Sequence, residues 1–251
     1  MNLKAGSWLE MVLTRALEAY GKFLKPMAII VLPAGILAGL ILLAFSNSRN
    51  EILQIIAAFN VPGWIISPLW VGPLIYGLSL YDASQEFDYK KTAGGGLKPW
   101  WKLMLCALAV IGIKSITAVG GHIFPQAGPL FLVLTGVIAL ILFTRYILIL
   151  PLLVLEERSL RESLGRSGLL SEGKRLNILF EFIALWILLY VVVFILQIIL
   201  GQLVNFIGGM TAMYIFFVVI TGVIQPMLMA LIVTWIYYFY LEQDQAMGME
   251  S

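Results

Sequence analysis

The chain has 251 residues, 61% of them hydrophobic and only 12% charged, and its formal net charge is +2. So little polar surface cannot wrap a water-soluble core, which makes lipid the solvent for most of the chain. The basic residues sit in separate short loops, which excludes a continuous nucleic-acid-binding surface; one cysteine, Cys106, and one histidine, His122, exclude an internal disulfide and a Cys/His zinc cage within one chain, so no metal and no cofactor is expected.

The chain opens on a charged, amphipathic stretch, and its first long apolar run begins near Pro26, so no cleavable signal is expected. From Trp8 to Leu24, apolar Leu9, Leu13, Ala16, Leu17, Tyr20 and Leu24 recur at helical spacing, with Glu10, Thr14, Glu18 and Lys22 opposite. This predicts an amphipathic helix lying in the membrane interface.

Six runs then approach the roughly 20 apolar residues that cross a bilayer: Pro26–Phe45, Trp64–Tyr81, Leu103–Val119, Pro129–Leu155, Phe180–Val204 and Met213–Leu241. They lack the alternation of a barrel strand, and a lone segment in lipid must satisfy its own backbone amides, so the fold class is all-α. We expect a polytopic membrane protein of six spans forming one membrane domain over residues 1–251. Thirteen of the sixteen Lys and Arg fall in the N-terminal arm and in the second and fourth connections, whereas the first, third and fifth connections carry Arg49 alone. The positive-inside rule then places both termini in the cytoplasm, with a prokaryotic plasma membrane as the expected location. Trp100 and Trp101, with Trp235, Tyr237, Tyr238 and Tyr240, mark the same interface.

Arg158 to Leu170 reads as a second helix that does not span, with Leu160 and Leu164 on one side and four-residue charge pairs Glu157–Arg161 and Glu162–Arg166. Ser171-Glu172-Gly173 breaks it before Lys174-Arg175 and the fifth span, which makes an amphipathic elbow at the cytoplasmic face. For both amphipathic segments a solvated loop helix stands beside the lipid-gripping one as an alternative. Thr135-Gly136-Val137-Ile138 recurs as Thr221-Gly222-Val223-Ile224, open to a hairpin duplication or to chance.

The stretch Arg145–Asn177, RYILILPLLVLEERSLRESLGRSGLLSEGKRLN, resembles the hydrophobic membrane-domain family named after the membrane region of glycerophosphoryl diester phosphodiesterases. In that family a span ends in Pro and aliphatics, often with an acid, and an "ALxRSxxLxxG" elbow leads into the next span. Pro151, Glu156, Leu164, Arg166, Ser167, Leu170 and Gly173 match, Ser163 replaces the Ala, and Gly168 stands where a bulky residue is common. LEAYGKFLKP near the start and YYFYLEQ near the end are also similar. The resemblance implies a multi-pass membrane protein. It does not bring the phosphodiesterase activity, which belongs to an additional soluble domain.

Lys114 and Arg145 carry most information about function, because an ionised side chain inside a span costs roughly 2.5–3.5 kcal/mol and needs a partner. The nearest acids, Asp82, Glu86, Glu156 and Glu181, lie toward the interface, so a phosphate-bearing lipid is one partner for the two cations. Snorkelling, or bonding to carbonyls freed by proline and to Glu181, is the other reading. Pro33, Pro68, Pro73, Pro151 and Pro226 can kink their spans. Gly35 and Gly39 mark close helix packing rather than dimerisation. Gly94-Gly95-Gly96 lacks a following GK[ST] and reads as a flexible turn, and His122 has no acid or nucleophile beside it. No catalytic constellation results. The candidate contacts are Lys114 and Arg145 for an anion or lipid, and Glu156, Arg166, Ser167, Lys174, Arg175 and Glu181 around the elbow. The expected partners are membrane lipids, with a homo-oligomer or another membrane protein open. A lipid-interacting or transport-related role stands first, a scaffold or assembly factor acting through the elbow second.

Overall fold

The computed structural model describes residues 5–58, 60–83, 87–123 and 128–248, with side chains for 12–57, 60–83, 87–113, 133–202, 204, 206 and 208–247. All described secondary structure is helical. In chain order the helices are α1 (Ala5–Lys22), α2 (Leu24–Ser46), α3 (Glu51–Ala58), α4 (Val61–Ile66), α5 (Pro68–Asp82), α6 (Tyr89–Leu97), α7 (Trp100–Ile123), α8 (Gly128–Tyr146), α9 (Ile149–Leu155), α10 (Leu160–Leu170), α11 (Arg175–Ile207), α12 (Met210–Val218) and, after a π-helical segment at Val219–Ile224, α13 (Gln225–Gly248).

Among the described residues, four stretches are long and apolar enough to cross a bilayer: Leu24–Ser46, Val133–Leu155, Arg175–Gln202 and Met210–Met247. The pair α6 and α7, bent by 61° at their junction, makes a fifth if it counts as one span. The sequence predicts six, and the expected run that falls short is the second, where proline interrupts it. The expected span Trp64–Tyr81 divides at Ser67, ahead of Pro68, into α4 and a 15-residue α5; at 1.5 Å per residue α5 is roughly 22 Å long, short of the ~30 Å hydrocarbon core. Pro151 follows a break at residues 147–148 that separates α8 from α9, and Pro226 follows the π-helical turn. A prolyl nitrogen cannot donate to the helical ladder, so the ladder yields just upstream of each.

Glycine sets the closest approaches. A Cβ on Gly35 would stand 2.4 Å from the Gly222 carbonyl oxygen and one on Gly39 2.9 Å from the Gly222 Cα, so α2 and the π-helical segment touch backbone to backbone. The Gly35/Gly39 pair thus packs two helices of one chain together, as its spacing predicts. The Gly94–Gly96 run is different from the expected flexible turn, because it lies inside α6. A Cβ on Gly96 would meet the Pro73 backbone at 2.3 Å and one on Gly95 the Tyr76 ring at 2.4 Å, so these glycines seat α6 on α5. Of the two Thr-Gly-Val-Ile segments, one is ordinary helix with open space at Gly136 and the other is the π-helical contact at Gly222.

Two apolar clusters fill the bundle and meet along α13. Helix α1 buries Val12, Ala16 and Ala19, Phe23 just after it is buried as well, and Tyr20 donates to the Met227 carbonyl at 2.8 Å. The buried stripe is therefore rotated from the predicted one: Phe23 goes inward while Leu17 and Leu24 stay exposed. Small Ala16 and Ala19 allow close approach to α13, while the leucines stay on the surface. The predicted positions Leu9 and Glu10 lie outside the described side chains. By contrast, α8 and α11 expose most of their apolar residues, as helices bathed in lipid do.

Candidate functional site

The residues before α2, those around α6 and α7, those around α10 and the end of α13 meet at one end of the bundle, here the basic end. Arg15 pairs with Glu242 at 3.5 Å, Lys98 with Glu157 at 2.9 Å, and Lys102 Nζ donates to the Arg158 carbonyl at 2.6 Å. The polar end of α13 does most of the tying. Tyr237 and Tyr238 donate to the two oxygens of Asp82 at 2.9 and 2.8 Å, which fixes the end of α5, and Tyr240 donates to Glu156 at 3.1 Å. Trp235, Tyr237 and Tyr240 are buried, so this aromatic group is mainly an internal hydrogen-bonding set rather than the interfacial belt expected of it. Trp100 and Trp101 are half exposed, as the residues of such a belt are.

Glu156 caps α9 and is the acid of a small knot. Arg166 Nε donates to it at 2.9 Å, Arg166 Nη2 reaches Asp244 at 2.5 Å, and Arg158 pairs with its other oxygen. Burial works against the Arg166 charge, but Glu156 and Asp244 outweigh it and raise its proton affinity. Neither expected four-residue pair forms. Glu157 is drawn to Lys98, and Glu162 folds back on Ser159, whose side chain accepts from the Glu162 N–H at 3.3 Å while Glu162 accepts from the Ser159 N–H at 3.0 Å. This capping box starts α10 and satisfies amides that the first turn leaves free.

The face of α10 turned inward is also not the expected leucine face. Ser163, Ser167 and Ser171, four residues apart, are fully buried, together with Gly168 and Leu170, while Leu160 and Leu164 are half-buried and Leu169 is exposed. Ser167 Oγ donates to the Arg145 carbonyl at 3.1 Å, and Ser171 Oγ lies 3.2 Å from the same carbonyl and from that of Gly168. The last carbonyls of a helix lack ladder partners, and this serine stripe supplies donors at the end of α8. The lack of a side chain at Gly168 then makes room for Arg145: a Cβ there would stand 3.4 Å from Arg145 Nε. The guanidinium lies along the glycine, exposed on its outer side, with its Cζ 5.4 Å from the Tyr146 ring centroid. No carboxylate among the described residues pairs with it.

Glu181 makes no ion pair with Arg145. It is buried in α11 and accepts from Trp235 Nε1 at 2.7 Å, with its second oxygen unpartnered among the described residues. Lys174 closes the turn after α10, and Arg175 opens α11 on the surface. Lys114 lies in α7, and its side chain, like that of His122, is outside the described residues, as is Glu86. No group of metal-ligating side chains occurs among the described residues.

A family model, the membrane domain of glycerophosphoryl diester phosphodiesterase, matches residues 123–250, just over half of the chain. The chain belongs to this family. No curated protein and no solved structure matches it. The family segment runs from the end of α7 through α13, and it holds Arg145, the serine stripe, the Glu156 knot and the tyrosine group together. The protein is thus a multi-pass helical member of the family. The sequence points to Glu156, Arg166 and Ser167 through that motif and to Arg145 as a cation inside a span, but not to Tyr240 and Asp244 as partners of Glu156 and Arg166, nor to the bond between Tyr237 and Asp82. A signal was present for the serines, whose i, i+4, i+8 spacing draws a polar stripe on one side of α10.

Proposed function

We propose that the protein is a lipid-interacting, transport-related membrane protein that acts without catalysis and holds the phosphate of an anionic lipid at Arg145. The observation that carries this reading is an arginine, near the end of an apolar helix, seated on a glycine, backed by a serine stripe and paired with no acid. A guanidinium offers a planar set of donors suited to phosphate, and lipid phosphate is the abundant anion at that level of a membrane. Lys114 is the second proposed contact. In this reading the expected short second span counts as the sixth crossing, both termini and the basic end are cytoplasmic, and the membrane is a prokaryotic plasma membrane. The basic end then meets the anionic leaflet, where each Lys or Arg contributes about 1 kcal/mol.

Neither the cavity of about 480 Å³ nor that of about 200 Å³ is lined by Arg145, which favours lipid held at the surface over a carrier lumen there. A scaffold role through the elbow is the second reading, favoured by exposed Leu169, Leu176 and Phe180 along α10 and the start of α11. Native mass spectrometry of wild type beside Arg145→Ala and Lys114→Ala/Arg145→Ala separates the two. Selective retention of a phosphate-bearing lipid that disappears in the variants supports lipid handling. Equal, nonspecific retention in all three rejects it and leaves the scaffold.

A further inference from the structure

About 30 Å along α2 from the basic end, a second arrangement follows from the glycine contact. Gly35, Gly39 and Gly222 hold α2 against the π-helical segment, and beyond them the two helices part toward Ser46 and Phe217. Helix α3 closes the gap. The resulting cleft, of about 480 Å³, is lined by Leu42, Ser46, Gln54, Ala57, Phe217 and Thr221.

None of these six side chains is charged, and the polar ones have their donors largely committed. Ser46 donates its hydroxyl proton to the Leu42 carbonyl at 2.7 Å and Thr221 donates to Phe217 at 2.7 Å, so each hydroxyl retains lone pairs to accept with. Gln54 Nε2 donates to the Ser48 carbonyl at 2.8 Å, which leaves Oε1 as an acceptor. The π-helical turn adds another. Gln225 N–H bonds five residues back to Ile220, and Pro226, next in that pattern, has no N–H for the Thr221 carbonyl. Such turns recur at functional sites because they expose backbone groups in this way.

The cleft, walled by Leu42, Ala57 and Phe217 and open at exposed Ser46 and Gln54, offers acceptors but gives an ion no counter-charge among its six lining residues. It suits hydroxyl donors on an apolar body, and its volume falls in the range of about 300–1,000 Å³ common for small-molecule sites. We infer that this cleft binds a neutral amphiphile with a hydroxylated headgroup, the headgroup donating to Ser46, Gln54 and Thr221 and the apolar part lying on Phe217. The site is separate from Arg145 and does not depend on the reading given to it.

The test uses a photoreactive alkyl glycoside on the full chain in phosphatidylcholine nanodiscs, with an alkyl sulfate and an alkyltrimethylammonium of equal chain length as competitors. The expected result is saturable labelling confined to residues 42–57 and 217–221. It falls at least tenfold in Ala57→Phe and at least threefold in Ser46→Ala/Thr221→Val, is unchanged in Arg145→Ala, and resists both ionic competitors. Labelling spread evenly over the spans, labelling unaffected by Ser46→Ala/Thr221→Val, or equal displacement by an ionic amphiphile overturns the assignment. If Ala57→Phe does not fold, the near-isosteric double variant decides alone.

Discussion

On one side of α10, Arg166 meets Glu156 at 2.9 Å and Asp244 at 2.5 Å; on the other, Arg145 lies on Gly168 with no carboxylate beside it. Both arginines belong to the same family segment and both touch the same short helix. Their difference comes from what the rest of the chain brings to each. The end of α13 delivers Asp244 and Tyr240 to the Arg166 side, whereas the Arg145 side receives hydroxyls that bind its carbonyl and leave its guanidinium beside Gly168 and Tyr146 without a carboxylate among the described residues. One arginine is committed to holding the bundle together and the other is held in place for something else.

That contrast can be broken from its polar support outward. Ser167→Ala/Ser171→Ala removes both hydroxyl donors from the Arg145 carbonyl, and at about 1 kcal/mol for each buried hydrogen bond the expected loss is about 2 kcal/mol in an unfolding titration. A loss within error would show that the stripe does not anchor α10. Arg166→Ala is expected to cost less, about 1.5 kcal/mol, because the pairs are partly exposed and Arg158 and Tyr240 remain on Glu156. Ser159→Ala opens the capping box at the far end of α10 for about 1 kcal/mol, read as faster amide exchange over residues 160–163. The smallest effect is electrostatic. The hydrogen bond and charge of Lys98 hold the Glu157 carboxyl below its ordinary range, so its contribution is complete above the unfolded value and is lost as pH falls through the lower, folded value. Lys98→Met should flatten that acid-side slope in unfolding titrations, and an unchanged slope would assign it to other carboxylates.

Much of this architecture is legible in the sequence because lipid imposes it. The apolar runs beginning at Pro26 and Phe180 become α2 and α11 with only their ends extended, and Ser171–Gly173 does end α10. Less legible is anything decided by a partner distant in the chain. Glu157, Glu162 and Arg166 satisfy a local helix rule on paper, yet each finds a better geometry with Lys98, Ser159 or the residues 10 and 78 positions away. The triple glycine looks like a flexible turn until Pro73 and Tyr76 are placed against it. Arg145 was visible as an isolated cation, but the glycine and serines that seat it became a site only once α10 was docked.

The two arginines also supply the most direct test. Arg145→Ala and Arg166→Ala, purified in parallel, would be compared by native mass spectrometry for retained phosphate-bearing lipid and by thermal unfolding in the same detergent. The account predicts that Arg145→Ala loses lipid retention at least tenfold with its unfolding midpoint unchanged, while Arg166→Ala keeps its lipid and unfolds at lower temperature. Retention that survives in Arg145→Ala, or that falls equally in both variants, would contradict it.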